Sequence, residues 1–223
     1  MIHVRKKINR PSLETVKAFR ALSSATVHEA SGRKGAVSYL IKPLSKGMKV
    51  CGPAFTVQCM PGDNLMLHKA LEIAEEGDVI VATVNEAPEY GYWGALMTVS
   101  ALARKINGLV IDGCVRDSQE IAEMGFPVFC KGTSIRGTTK DALGLINYPL
   151  AFGGVMVEPG DLVLGDDDGL VIVKRSECEE VLEKALKRVE AEKVKKEALS
   201  SGVSSVEYNK LKPVFERLGL VEE

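Results

Sequence analysis

Apolar and polar positions change their rhythm twice along the chain. From residue 50 to 130, short apolar runs alternate with stretches of helical period. Val50–Cys59 reads as a strand with an irregularity at Gly52-Pro53. Pro61-Gly62-Asp63 turns the chain, and Asp63 caps a helix carrying Leu65, Leu67, Ala70, Leu71 and Ala74. Val79–Val84 is an apolar strand of the kind buried on both faces. A helix over Tyr92–Lys105, a strand over Gly108–Asp112, a helix over Asp117–Glu123 and a strand over Pro127–Cys130 follow. This alternation predicts α/β layering.

The flanking regions differ. Ahead of the core, a helix runs from Asn9-Arg10-Pro11-Ser12 to about Leu22. A second, short one covers Val27–Ser31, with Thr26 as its N-cap and Gly32 ending it. Beyond residue 133 the pattern becomes that of a β-meander. A polar, Gly-rich loop covers Ser134–Asn147. Short strands at Val155–Val157, Leu162–Leu164 and Leu170–Val173 are then separated by Glu158–Asp161 and Gly165–Gly169. A long charged helix from Glu177 to about Leu199 and a last one over Ser205–Leu218 complete the chain.

Composition narrows the function classes. The 223 residues suit one large domain, or a compact domain with a helical tail, and no linker separates two domains. A net charge of −1 lacks the basic excess of a nucleic-acid binder. The lysines of Lys184–Lys196 are interleaved with glutamates, as on a solvated helix face. There is neither a secretory signal nor an apolar run of about 18 residues, so a membrane span is not expected. The five cysteines are odd in number and form no C-x-x-C. They read as buried free thiols in a reducing cytoplasm.

The strongest chemical signal is Val110-Ile111-Asp112-Gly113-Cys114-Val115-Arg116-Asp117, where an apolar strand ends in a Gly-containing turn and a helix begins. Ligands in layered α/β folds bind at such strand ends. Arg116 suits a carboxylate and Asp117 a hard divalent ion; a local ion pair with Asp117 capping the helix accounts for the pattern equally well. Gly91-Tyr92-Trp93-Gly94-Ala95-Leu96-Met97 lies at another loop-to-helix junction. The amides of Leu96 and Met97 there could hold an anion, although an ordinary helix start with core-packed aromatics is the simpler account. His28-Glu29 could be an acid–base pair or surface packing, and Gly62-Asp63-Asn64 a helix cap or a cavity wall. Asp166-Asp167-Asp168-Gly169 reads as a hairpin turn.

At these residues the chain resembles the RraA-like family, and within it the 4-hydroxy-4-methyl-2-oxoglutarate/4-carboxy-4-hydroxy-2-oxoadipate aldolases. The matching stretches run in order along nearly the whole chain: Ser24–Arg33, Cys51–Ala54, Asp63–His68, Gly91–Gly94, Ile111–Asp117, Met124–Phe129, Ser134–Gly137 and Pro159–Asp161. The resemblance implies a single RraA-like domain over 1–223, with an N-terminal helical segment (1–48), an α/β core (49–174) and C-terminal helices (175–223). It implies a layered β/β/α fold like the swivelling phosphohistidine domain, assembled as trimers or hexamers with sites at subunit boundaries. It also implies a class II-type lyase that cleaves a 4-hydroxy-2-oxo acid to pyruvate and a second 2-oxo acid, with oxaloacetate decarboxylation as a side activity.

By the same resemblance Asp117 holds Mg²⁺ or Mn²⁺, and Arg116 binds the pyruvyl group and steadies its enolate. Gly94, Leu96 and Met97 bind the carboxylate. Glu192 of a neighbouring subunit holds metal-bound water, and Glu29 is an acid near the site. One position departs: Ala95 stands where aldolase members usually carry Asp or Glu to order that water. The rival implied by the same family is a non-catalytic regulator of the ribonuclease-inhibitor kind.

Overall fold

The computed structural model describes residues 2–223. Four parallel strands form the centre: β2 (Val50–Gln58), β3 (Val79–Thr83), β4 (Gly108–Ile111) and β6 (Val128–Cys130), paired in the order β2-β3-β4-β6. Their apolar continuity has a simple cause, because alternate residues enter two different cores. Phe55, Val57, Ile80, Ala82, Leu109, Ile111, Val128 and Cys130 face one cluster, with helices α3 (Leu65–Ile73), α4 (Ala95–Ala103) and α5 (Ser118–Glu123) packed over it. Ala54, Val79, Val81, Val110 and Phe129 face the other.

That second core is closed by the C-terminal strands. β9 (Leu150–Phe152) and β10 (Val155–Val157) form one antiparallel hairpin, β11 (Leu162–Asp166) and β12 (Gly169–Val173) another. β11 pairs with the first half of β2, so Gly52-Pro53 marks where β2 exchanges the β11 ladder for the β3 ladder and not a break in the strand. The short β1 (Lys42–Pro43) pairs with β6 at the opposite edge, and β8 (Leu145–Ile146) with the end of β2. Lys42 Nζ donates to the Asp168 carbonyl at 2.7 Å, so the curled sheet brings its two edges close together. A third core lies on the outer face of β11–β12. There Cys51, Leu162, Leu164, Val171 and Val173 meet α1 (Leu13–Arg20), α2 (Ser24–Ala30) and the first turns of α6 (Cys178–Ser200).

Several local expectations are corrected. α2 begins two residues before Thr26, because Ser23 Oγ accepts from Thr26 N and acts as the cap, while Asp166 accepts from the N–H and hydroxyl of Ser24. α4 begins at Ala95, not Tyr92: Tyr92 N donates to the Cys114 carbonyl, which keeps Gly91–Gly94 extended. Asp117 precedes α5 and has left-handed backbone (φ 56°). The last helix is two, α7 (Ser205–Tyr208) and α8 (Lys212–Leu218), separated where Lys210 takes φ 53°. β9, directly after the polar loop, was not read as a strand from the sequence, whereas its equally short partner β10 was. The five thiols are free, and burial pushes those of Cys51 and Cys130 up to about 11, and those of Cys59 and Cys178 to about 12. No helix among the described residues is long and apolar enough to cross a membrane.

One ion pair fastens the N-terminal segment to the sheet. Arg10 reaches the buried carboxylate of Asp78 through two hydrogen bonds of 2.8 Å, and Glu75 N donates to the same carboxylate at 2.9 Å. Removing one partner of a buried pair leaves an uncompensated charge. Arg10→Ala is therefore expected to lower stability by about 3 kcal/mol in urea unfolding. Asp78→Asn combined with Arg10→Met should cost less than Arg10→Ala alone, and this double variant checks that the lone charge is the cause.

Candidate functional site

The site lies where β4 ends. Asp112, the first residue after that strand, is absorbed structurally: its half-buried carboxylate accepts from Val84 N at 2.7 Å and from Thr83 Oγ1 at 2.8 Å, joining the ends of β3 and β4. Burial drives the carboxyl of Asp112 above its ordinary range, against the pull of those bonds. The chain then makes the short strand β5 (Cys114–Val115), which pairs with β7 (Gly132–Thr133) and bridges to Gly91. Arg116 and Asp117 follow at its tip.

The Gly-Tyr-Trp-Gly phrase is the wall they stand against. Tyr92 and Trp93 are fully buried. Tyr92 Oη accepts from Gly62 N and donates to the Ala87 carbonyl, both at 2.7 Å. Trp93 stacks on Phe126 with ring centroids 6.0 Å apart, and its Nε1 donates to Thr98 Oγ1 at 2.8 Å. These anchors fix the glycines on either side. A Cβ on Gly94 would lie 2.5 Å from Asp117 Oδ2, and one on Gly91 would lie 2.6 Å from the Ser134 carbonyl and 3.1 Å from Arg116 Cβ. The aromatics do pack on the core, and in doing so they hold a helix start against the Arg-Asp turn.

Ala95 N donates to Asp117 Oδ2 at 3.1 Å, and Arg116 Nε lies 3.8 Å from the same oxygen. Asp117 is thus drawn toward the start of α4 and does not cap its own helix, which lacks a side-chain cap bond. Asp117 Oδ1 has no partner among the described residues, and both charged side chains are about half exposed. Trp93 O accepts from Arg116 N, and the first intrahelical bond of α4 is Thr98 N to Gly94 O. The N–H groups of Leu96 and Met97 are left without acceptors among the described residues, as first-turn amides are. With Asn64, His68, Gly137, Thr138 and Lys140, these groups border a cavity of about 270 Å³. A second space of about 390 Å³ opens on the other side of Arg116 and Asp117, bordered by Ser118 and Thr133–Ile135.

The donor set bears on the metal. Among the described residues there is no group of three or more His, Cys, Asp or Glu side chains placed to hold an ion. One carboxylate with a free oxygen suits a hard ion that keeps most of its water, as Mg²⁺ does, and is poorly matched to zinc.

Glu29 and Glu192 lie elsewhere. Arg188 Nε is 2.9 Å from Glu192 Oε1 and one of its terminal nitrogens is 3.9 Å from Glu29 Oε2, so α6 and α2 hold the two acids in one cluster with Arg33. Neither borders the Arg116–Asp117 cavity of its own chain. Asn64, His68 and Lys140 do border it. Asn64 carried a signal in the sequence, since Gly62-Asp63-Asn64 admitted a cavity wall. Lys140 carried none, being one polar residue in a polar loop.

A profile described as RraA-like, Aldolase/RraA, matches residues 22–172. The chain belongs to the RraA-like family. It is 34% identical over 199 residues, 89% of its length, to a Halalkalibacterium halodurans protein named "Putative 4-hydroxy-4-methyl-2-oxoglutarate aldolase", and spans 95% of that protein. Among solved structures it is similar to an uncharacterized protein from Pseudomonas syringae pv. tomato (TM-score 0.79, 28% identity, covering 88% of this chain and 97% of that one). It is likewise similar to Streptomyces coelicolor RraAS2, described as an unusual member of the RNase ES inhibitor RraA protein family (TM-score 0.77, 32% identity, covering 85% and 99%).

The contact at Gly94 yields a direct expectation. Gly94→Ala should retain the native circular dichroism spectrum, because the nearest atoms its Cβ meets belong to the half-exposed side chains of Asp117 and Arg116. Mn²⁺ affinity, followed by electron paramagnetic resonance of the free ion, should fall at least about tenfold. Unchanged affinity would separate Asp117 from metal binding.

Proposed function

We propose that this RraA-like chain is a divalent-metal-dependent carbon–carbon lyase of the aldolase type, cleaving a 4-hydroxy-2-oxo acid to pyruvate and a second 2-oxo acid. The observation that carries this reading is convergence. The Arg116 guanidinium, the Asp117 carboxylate and two unpaired N–H groups at the start of α4 all border one small cavity. A 2-oxo acid has complementary parts: a carboxylate for the Leu96 and Met97 amides, and an adjacent carbonyl oxygen for Arg116. The relative named for this activity and the matching family description point the same way.

The chemistry follows from where charge develops. The C4 hydroxyl loses its proton, the C3–C4 bond breaks, and the electron pair moves onto C3 and the 2-oxo oxygen as an enolate. Arg116 is placed to stabilise that oxygen, and a preformed donor aimed at developing charge is a large catalytic term. Mg²⁺ or Mn²⁺ on Asp117 supplies Lewis acidity when bound. Protonation at C3 then gives pyruvate. Oxaloacetate decarboxylation passes through the same enolate and is expected as a side activity. Asn64 Nδ2 donates to the Tyr92 carbonyl at 2.9 Å, which ties the start of α3 to the Gly-Tyr-Trp-Gly wall of the cavity.

Glu29 and Glu192 enter this scheme from a neighbouring subunit of a trimer or hexamer, where the Arg188 cluster would present both acids together. The competing reading, a regulator that binds another protein, draws on Ala95. Its methyl group replaces the acid that aldolase members usually carry there, and Ala95 meets Asp117 only through its backbone. Metal dependence decides between them, because a regulator needs no Lewis acid.

A coupled pyruvate assay on 4-hydroxy-4-methyl-2-oxoglutarate with Mg²⁺ is expected to show turnover that EDTA abolishes. Asp117→Ala should remove it, and Arg116→Lys should lower kcat by about 10²-fold, the usual loss of one oxyanion donor. Turnover that persists in EDTA would refute the metal-dependent scheme.

A further inference from the structure

A separate cavity opens at the other end of the central sheet. Its volume of about 450 Å³ exceeds that of either space beside Arg116 and Asp117, and none of the residues that border it borders those. It exists because the parallel strands do not start level. β2 begins at Val50, but β3 pairs with it only from Ala54 onward. β4 starts opposite the first residue of β3, and β6 starts one residue further in. On that side the first residues of β2 therefore have no strand beside them, while β11 pairs with them on the other. Asn107 fills part of the gap, where its Nδ2 donates to the Cys51 carbonyl at 3.0 Å.

The rest of the gap is walled by apolar side chains. Ile106 and Phe126, from the turns into β4 and β6, are buried, as are Leu22 and Leu164. The charges that border the cavity are all of one sign. Arg20, at the end of α1, and Lys49, just before β2, are exposed, and neither makes an ion pair among the described residues. No Asp or Glu borders the cavity. Cys51 brings no negative charge either. Burial pushes its thiol up to about 11, against the pull of the nearby Arg20 charge, and Sγ donates to Val16 O at 3.5 Å.

This combination selects a ligand chemistry. A purely apolar molecule would leave two cations without an anion. A small polar anion would leave the apolar wall in water. A molecule with one carboxylate and an aliphatic or aromatic body answers both. Its head can take the Arg20 guanidinium in a two-pronged hydrogen bond, and its body removes apolar surface from water. A space of this size, mostly apolar with a few polar groups, is of the kind that holds small molecules. We infer that the cavity is a binding site for a small amphipathic carboxylate, with its head at Arg20 and Lys49 and its body against Ile106, Phe126 and Leu164. The inference stands apart from the lyase reading, because it uses no group of the Arg116–Asp117 site.

The test measures binding to the full-length protein by calorimetry. Octanoate is compared with octanamide, which lacks the charge, and with butyrate, which lacks most of the apolar body. Octanoate is expected to bind about tenfold or more tighter than octanamide, as a charge-assisted contact gives. It should exceed butyrate by about tenfold or more, since four methylenes leave water. Arg20→Met combined with Lys49→Met should abolish the preference over octanamide while keeping octanamide affinity within about twofold. Both side chains are exposed, so this variant should keep the native circular dichroism spectrum. Arg116→Met should leave octanoate affinity within about twofold. No octanoate binding, equal binding of butyrate, or a preference over octanamide that is absent or survives the double substitution overturns the inference. Loss of octanoate binding in Arg116→Met would place the ligand in the other cavity and overturn it as well.

Discussion

The approach of the Gly94–Ala95 backbone to the Asp117 carboxylate is the contact on which the site depends. It requires a residue without a Cβ at position 94, a helix whose first amides face the Arg-Asp turn, and an Asp117 held in left-handed backbone. Each requirement is met by something larger. Trp93 and Tyr92 are sunk into the core beneath the helices, so Gly91 and Gly94 on either side of them are held in place. The β5–β7 pairing and the Gly91 bridge hold the turn against them from the other side. A non-glycine residue at positive φ costs about 1–3 kcal/mol, and such residues persist where the surroundings over-determine them. Asp117 is such a residue, and its carboxylate is consequently aimed across the turn instead of along its own helix.

The sheet supplies the rigidity that this contact needs. Because β3 and β4 are buried on both faces, a shift of one residue in register would exchange two cores at once. The end of β4 is therefore a fixed platform, with Asp112 locking it to β3. The same logic continues at the far end of the cavity, where the buried Asp63 fixes a loop that has little secondary structure of its own. The two ends of the cavity are thus held by the carboxylates of Asp112 and Asp63, each occupied with hydrogen bonds from the protein itself.

Much of this was legible in the sequence, and the failures have physical causes. The apolar runs at 79–84, 108–112 and 127–130 revealed buried parallel strands because strands covered on both faces carry no polar alternation. The start of α4 was misplaced by three residues, since Tyr92 and Trp93 continue an apolar pattern that only the Cys114 contact prevents from winding into a helix. Asp112 and Asp63 are of the same residue type as Asp117, and spacing cannot tell a carboxylate that accepts backbone bonds from one that faces a cavity. Lys140 lies 76 residues after Asn64 in a loop whose position is set by long-range bonds, and no local pattern announces such a contact.

The central claim is that Arg116, Asp117 and the start of α4 form a site that stabilises pyruvate enolate with the help of a divalent ion. Exchange of the pyruvate methyl protons in D₂O, followed by proton NMR, reads that step alone and needs no knowledge of the substituent at C4. The account predicts exchange that requires Mg²⁺ or Mn²⁺ and that disappears in Asp117→Ala. Folded protein that produces no exchange above the buffer rate with either ion would contradict it.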